Sequence, residues 1–136
     1  MANYIATGRT NYFRVTDEEA YKNLLAGVIN VAGDISYTAD DGTIMHGFVV
    51  EGGGIEYYDS EEEEFIPDYF ESEIQKLLPE DEAFIYMEAG WEKWRYVTGY
   101  SIVVTKNNIE YFDIIDMALD KANELLGKDF CTQATY

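Results

Sequence analysis

The fold class follows from one stretch of the chain, AFIYMEAGWEKWRYVTGYSIVVTKNNIEYF, at residues 83–112. Its aromatic and β-branched residues predict two long strands, at residues 83–88 and 93–105. The pair Asn107-Asn108 predicts a tight turn into a third strand at residues 109–112. A helical pattern of apolar residues follows at 113–126, with Gly127 as its stop. The last third of the chain therefore predicts a β-meander that ends in a helix whose apolar face is buried.

Comparable signals occur in the first half of the chain. Residues 11–15 predict a strand, and Thr16 with Glu19 has the spacing of a capping box for a helix that ends at Gly27. Strand-like runs at 28–37, 43–51 and 55–58 follow. The first two are separated by a hairpin signal that ends in Asp41-Gly42.

A second amphipathic helix is predicted from the apolar residues between Phe65 and Leu78, which recur at three- and four-residue spacing. Pro67 fits the first helical position, and Pro79 fits a stop. This places residues 61–64 in an acidic segment before the helix. Alternatively, Ser60 with Glu63 caps a longer, kinked helix.

Strands interleaved with helices, but joined mostly by hairpins, predict an α+β fold. We expect a mainly antiparallel sheet of about five to six strands with about three helices packed on one face. Residues 1–136 are expected to form a single globular domain, because a chain of this length buries a core without disulfides or metal.

The charge of the chain is its most informative functional feature. There are 27 Asp and Glu residues against 9 Lys and Arg, for a net charge of -18, and residues 59–82 hold eleven of the acids against one base, Lys76. Such a surface repels nucleic acid and anionic membrane and attracts the proteins that bind them. We therefore expect a basic nucleic-acid-binding protein or nuclease complex as the partner, with no direct nucleic-acid or membrane binding. The alternative is a solvated surface that only aids solubility.

Catalytic chemistry has little support in the sequence. The one histidine, His46, lies in a strand-like run, and the glycines at 52–54 lack the lysine that a phosphate-binding loop needs. Asp40-Asp41-Gly42 lacks the alternating ligands of a calcium loop. We predict no catalytic residue, no metal site and no cofactor.

Cellular location is predicted from two further features. Cys131 is the single cysteine, so no intramolecular disulfide forms, and the N-terminus lacks an export signal. We expect a cytoplasmic protein. The sequence leaves its oligomeric state open.

The predicted partner-binding site combines acidic residues with two tryptophans. Regularly spaced carboxylates on a rigid scaffold imitate the phosphates of DNA, and exposed tryptophans near a predicted hairpin bend are candidate anchors. The predicted residues are Asp40, Asp41, Glu51, Asp59, Glu61, Glu62, Glu63, Glu64, Asp68, Glu71, Glu73, Glu80, Asp81, Glu82, Trp91 and Trp94.

Two segments carry a family resemblance. One contains Asn3-Tyr4, then Arg9-Thr10-Asn11-Tyr12-Phe13-Arg14-Val15 and Asp17; the other contains Met87-Glu88-Ala89-Gly90, Glu92-Lys93, Arg95-Tyr96 and Gly99-Tyr100. They resemble a family of small acidic proteins carried by bacterial phages, plasmids and other mobile elements. Proteins of that setting include anti-CRISPR and anti-restriction inhibitors, several of which are DNA mimics. The resemblance implies a mobile-element context and transfers no catalytic residue.

Acidity and this context together predict a non-enzymatic anti-defence protein, of anti-CRISPR or anti-restriction type, that inhibits a DNA-binding nuclease complex by DNA mimicry. One alternative is an antitoxin or immunity protein that neutralises a basic toxin. Another is an acidic ligand-binding domain or small enzyme, which would require a deep pocket around His46.

Overall fold

The computed structural model describes residues 4–93 and 96–128. The helices in these ranges are α1 (Glu18–Ala26), α2 (Tyr69–Leu77) and α3 (Ile114–Leu126). The strands are β1 (Ile5–Thr10), β2 (Val31–Asp34), β3 (Tyr37–Thr38), β4 (Ile44–Met45), β5 (Phe48–Glu51), β6 (Tyr58–Asp59), β7 (Glu64–Phe65), β8 (Phe84–Glu92), β9 (Tyr96–Val104) and β10 (Ile109–Asp113).

Six of these strands form one antiparallel sheet in the order β10-β9-β8-β1-β5-β2. Two short hairpins, β3–β4 and β6–β7, stand beside it. The predicted α+β class is therefore confirmed, as is the meander of β8, β9 and β10 followed by α3. The position of β1 between β5 and β8 depends on pairing between segments far apart in the sequence, which the local pattern does not reveal.

The core lies between one face of the sheet and the helices α1 and α2. Side chains alternate along β8, so that Phe84 and Tyr86 are fully buried while Met87 and Trp91 are exposed. We call the buried side the core face and the opposite side the open face. The core consists of Phe13, Tyr21, Leu24, Val28, Phe48, Val50, Phe70, Ile74, Leu78, Phe84, Tyr86 and Val104.

The first strand differs from the prediction. The strand expected at residues 11–15 is only an isolated bridge between Phe13 and His46. The paired strand is β1, where Ala6 and Thr10 are buried on the core face and Ile5 and Arg9 point away. The polar sequence of β1 conceals this alternation.

The ends of α1 and α2 follow local rules with small shifts. Asp17, rather than Thr16, caps α1, because its carboxylate accepts a hydrogen bond of 3.0 Å from the backbone N–H of Ala20. The expected position of Pro67 at the start of α2 is wrong, since this helix begins at Tyr69. Its predicted end before Pro79 is confirmed: Leu78 is extended, as the residue before a proline prefers.

The bounds predicted for α3 are confirmed, but its predicted burial is wrong. Asp113 caps the helix, and Gly127 ends it in the left-handed conformation with φ 66°. No residue of α3 is fully buried, and Leu125 is 75% exposed. The reason is its position: α3 contacts β9 and β10 at the edge of the sheet, whereas α1 and α2 cover the core. The side chain of Ile114 lies over Gly99, on the open face.

Candidate functional site

The most concentrated group of exposed acids lies at the tip of the β6–β7 hairpin, where residues 61–63 form the turn and Glu64 begins β7; we call Glu61–Glu64 the acidic turn. Asp59 shapes it, because its carboxylate accepts the backbone N–H groups of Glu61 and Glu62 at 2.9 and 3.3 Å. Glu63 adopts a left-handed conformation with φ 53°. The predicted acidic segment is thus the tip of a hairpin, and the alternative of a longer helix from Ser60 is wrong.

A second acidic group, Glu80 to Glu82, lies in the loop that follows α2. Two of its members share one ion-pair partner, Arg14, whose Nη2 and Nε lie 3.0 Å from Asp81 and 2.8 Å from Glu82. Hydrogen bonds to these two carboxylates raise the pKa of Arg14. Glu80 is exposed. Since α2 spans about 13 Å at 1.5 Å per residue, this group and the acidic turn lie near opposite ends of that helix and form separate charged regions.

The remaining predicted acids are dispersed. Asp40 and Asp41 are exposed at the tip of the β3–β4 hairpin, where the backbone N–H of Thr43 donates to Asp41 and lowers the pKa of that carboxyl. Asp68 is exposed before α2, and Glu73 pairs with Lys76 at 2.6 Å.

Glu51 lies apart from the other acids, because it is opposite Thr7 in the sheet register and therefore on the open face.

The prediction that Glu71 contacts a partner is wrong. This residue is only 6% exposed, because it lies beside Phe70 on the side of α2 that packs on the core. Burial raises the pKa of its carboxyl. A side chain in this position does not contact a partner.

The burial of Glu71 predicts a pH-dependent stability. Its folded-state pKa lies above the ordinary value of 4.5, which the unfolded state has. As the pH rises from the unfolded-state pKa to the folded-state pKa, the unfolded state loses its proton first, so the free energy of unfolding falls. Glu71→Gln should therefore raise the free energy of unfolding at pH 7, by on the order of 1 kcal/mol, with little gain at pH 4. Urea titrations at both pH values measure this, with Glu80→Gln as the exposed-acid control. Equal gains at both pH values would contradict it.

Of the two predicted tryptophans, Trp91 is 49% exposed, and Trp94 lies outside the described residues. Trp91 lies within β8 rather than at a bend, and the sheet register places it opposite Ile5 on one side and Val97 on the other. It therefore belongs to the open face, away from the acidic turn.

Sequence reasoning missed the polar residues that face inward from β8. Glu88 and Glu92 are 5% and 7% exposed. The Oε1 atom of Glu88 accepts the hydroxyl of Tyr86 and the backbone N–H of Gly54, both at 2.6 Å. The alternation of side chains shows that β8 has two faces, but it does not show which face is buried. In the structure, the more apolar of the two faces of β8 is the exposed one.

A cleft of about 550 Å³ lies beside α1 and contains His46. The Nε2 atom of His46 is 2.8 Å from Oε1 and 3.0 Å from Oε2 of Glu18, and its ring lies 4.3 Å from that of Tyr21. Burial raises the pKa of Tyr21. Asp34 also lines the cleft, and its pKa is lowered by Ser36 and, to a smaller extent, by His46.

The lining of the cleft combines apolar and charged side chains. Its apolar lining includes Leu25, Val28 and Val31, and its charged lining consists of three acids and one base: Glu18, Glu19, Asp34 and Lys22. The Nε2 atom of His46 is held by Glu18 at one side of the cleft. Such a cleft suits a cationic group with an apolar stem.

The described part of the chain contains no group of three or more His, Cys, Asp or Glu residues that could hold a metal ion. Across residues 4–93 and 96–128, no helix is both long and apolar enough to cross a membrane.

Comparisons with protein-family models, curated proteins and solved structures give no match for this chain. The resemblance to the mobile-element family therefore stays a prediction.

Proposed function

We propose that this chain is a non-enzymatic, cytoplasmic anti-defence protein of anti-CRISPR or anti-restriction type. It occupies the basic DNA-binding surface of a nuclease complex and so acts as a DNA mimic. The observation that carries this proposal is the acidic turn, four consecutive exposed carboxylates on a short, shaped hairpin.

The charge density of the acidic turn supports mimicry. Four consecutive residues each carry a carboxylate at this hairpin tip, which concentrates negative charge as the phosphate backbone of DNA does. None of the salt bridges between described residues involves Glu61–Glu64. These charges are therefore available to a partner, unlike those of Asp81 and Glu82.

The other exposed acids extend the attraction without forming one continuous row. Asp40, Asp41, Asp68 and Glu80 are exposed at hairpin tips and loops. At physiological salt, charges more than about 8 Å apart are largely screened from one another. Each group therefore guides a different part of a basic partner surface.

A capture experiment tests the proposal. The tagged protein is passed through host lysate at low salt, with and without excess DNA, and the retained proteins are identified. We expect a basic nuclease subunit that DNA competes away, because mimic and DNA occupy the same surface. A partner that DNA leaves bound would contradict mimicry and favour an immunity protein that neutralises a basic toxin.

The cleft beside α1 favours a second candidate, an acidic ligand-binding domain. Its apolar lining and its excess of acids over bases suit a cationic ligand. This function would leave binding insensitive to the charge of the acidic turn and sensitive to substitution of Glu18.

A further inference from the structure

The six-stranded sheet has two edge strands, β2 and β10, and they differ in regularity. β2 has four residues, and its register with β5 shifts between Val31 and Gly33. A short or irregular edge strand is a poor template for a further strand. β10 has five residues that pair with β9 without a shift in register. The outer side of β10 is therefore the edge of this sheet that is best suited to pair with another strand.

The backbone of β10 directs two residues away from the sheet. The backbone N–H of Thr105 donates a hydrogen bond of 2.8 Å to the carbonyl of Asn108, which turns Asn108 toward β9. Because successive residues of an antiparallel strand direct their N–H and C=O groups to alternate sides, Glu110 also points toward β9, whereas Ile109 and Tyr111 point outward. Within the described part of the chain, β9 is the only strand that pairs with β10. The outward N–H and C=O groups are thus available to an added strand.

The side chains of the two outward residues form an apolar strip. Ile109 is opposite the buried Val104 in the sheet register, so Ile109 and Tyr111 lie on the core face. They are nevertheless 44% and 60% exposed. α3 begins over the opposite face, where Ile114 lies over Gly99. The apolar strip is therefore accessible beside the outer backbone of β10.

Acids surround this edge of the sheet. Glu110 lies between the two outward residues and on the open face, and Asp113 and Asp116 follow at the end of β10 and in the first turn of α3. Residues 107–120 contain no Lys or Arg. Pairing of two β10 strands from two copies of this chain would bring these acids together, and like charges on neighbouring strands are destabilising. The charge therefore favours a basic protein over a second copy.

We propose that β10 binds an extended segment of a second, basic partner protein, in which basic and apolar residues alternate. The segment pairs with the outward backbone groups of Ile109 and Tyr111. Its apolar side chains lie on the core face beside these two residues, and its basic side chains lie on the open face beside Glu110. In this mode of recognition, backbone hydrogen bonds supply affinity and alternate side chains supply specificity. The acidic turn belongs to a different hairpin, so this partner binds whether or not the acidic turn is occupied.

NMR titration of the full chain with a blocked peptide of alternating lysine and valine residues tests the proposal. We expect the backbone amide signals of Ile109 and Tyr111 to shift and their hydrogen exchange to slow, because these N–H groups gain acceptors. A peptide of alternating glutamate and valine residues is the matched control, and it should bind at least about 10-fold more weakly. Replacement of Glu61–Glu64 by lysine should leave binding of the lysine peptide at β10 intact.

Two variants at one position isolate the backbone contribution. Ile109→Pro removes an outward N–H at an edge position, where proline is tolerated, whereas Ile109→Ala keeps this N–H and removes more of the side chain. The proline variant should bind the lysine peptide about 10-fold more weakly than the alanine variant, which corresponds to one lost hydrogen bond. Circular dichroism establishes that both variants are folded. If the proline variant does not fold, a lysine peptide with N-methyl groups on alternate residues replaces it, because this peptide lacks donors for the added ladder.

The outcomes are distinct from those of the capture experiment. The absence of binding by the lysine peptide, or signals that shift only at the acidic turn, would overturn the proposal. So would equal binding of the two peptides, or equal binding of the lysine peptide by the two variants. The capture experiment tests the acidic turn alone and does not depend on this result.

Discussion

Glu88→Ala is expected to lower the free energy of unfolding by about 3–5 kcal/mol. The substitution leaves a buried donor, the Tyr86 hydroxyl, and a half-buried one, the Gly54 backbone N–H, without their 2.6 Å acceptor. Each unsatisfied buried donor costs about 1–3 kcal/mol, and the lost side-chain volume adds to this. For a chain of this size the melting temperature should fall by about 10–20 °C.

Two tyrosine side chains pack closely around Glu88. A Cβ at Gly8 would collide with the Tyr86 ring, and a Cβ at Gly90 would collide with Tyr4. The two glycines therefore admit the phenol groups that surround Glu88. Burial raises the pKa of Tyr86, and its bond to Glu88 raises it further.

Glu88→Gln separates hydrogen bonding from packing. Its single side-chain oxygen can accept both donors that now bind Oε1, so this variant should lose no more than about 1 kcal/mol. Tyr86→Phe removes the hydroxyl donor itself, so no donor is left unsatisfied at this position. Its loss of stability should lie between the losses of Glu88→Gln and Glu88→Ala. Thermal or urea unfolding measures all three variants. A loss in Glu88→Gln as large as in Glu88→Ala would contradict the assigned network.

Local signals were sufficient to predict the meander and the ends of its final helix. The turn at Asn107-Asn108 and the stop at Gly127 are set by residues close in sequence, and the structure places β9, β10 and α3 at those bounds. In contrast, the inward direction of Glu88 depends on Gly54 and Tyr4, which come from distant parts of the chain. No sequence window contains that information.

The candidate site was predictable in composition but less so in geometry. The concentration of acids in residues 59–82 is visible in the sequence, yet the structure separates them into an exposed turn, a buried Glu71 and a loop paired with Arg14. Burial and ion pairing depend on where α2 packs. For this reason the acidic turn is the part of the predicted site on which a functional test should concentrate.

Reversing the charge of Glu61, Glu62, Glu63 and Glu64 with four lysines should weaken binding to the captured nuclease partner on the order of 100-fold. Exposed ion pairs contribute about 0.2–1 kcal/mol each, and reversal replaces four attractions by four repulsions. The association rate and its salt dependence should fall as well, because exposed charges guide encounter. The fold should persist, since the four side chains are exposed on a hairpin outside the core.

The matched control makes the same change in net charge elsewhere. Glu110, Asp116, Asp120 and Glu124 are exposed on β10 and α3, and four lysines at these positions should reduce binding much less. Affinity and salt dependence are measured for both variants against the same partner. Equal losses would mean that only the total charge matters, which would contradict a mimic built on the acidic turn. A selective loss would assign the DNA-like contact to this hairpin, because only its position distinguishes the two variants.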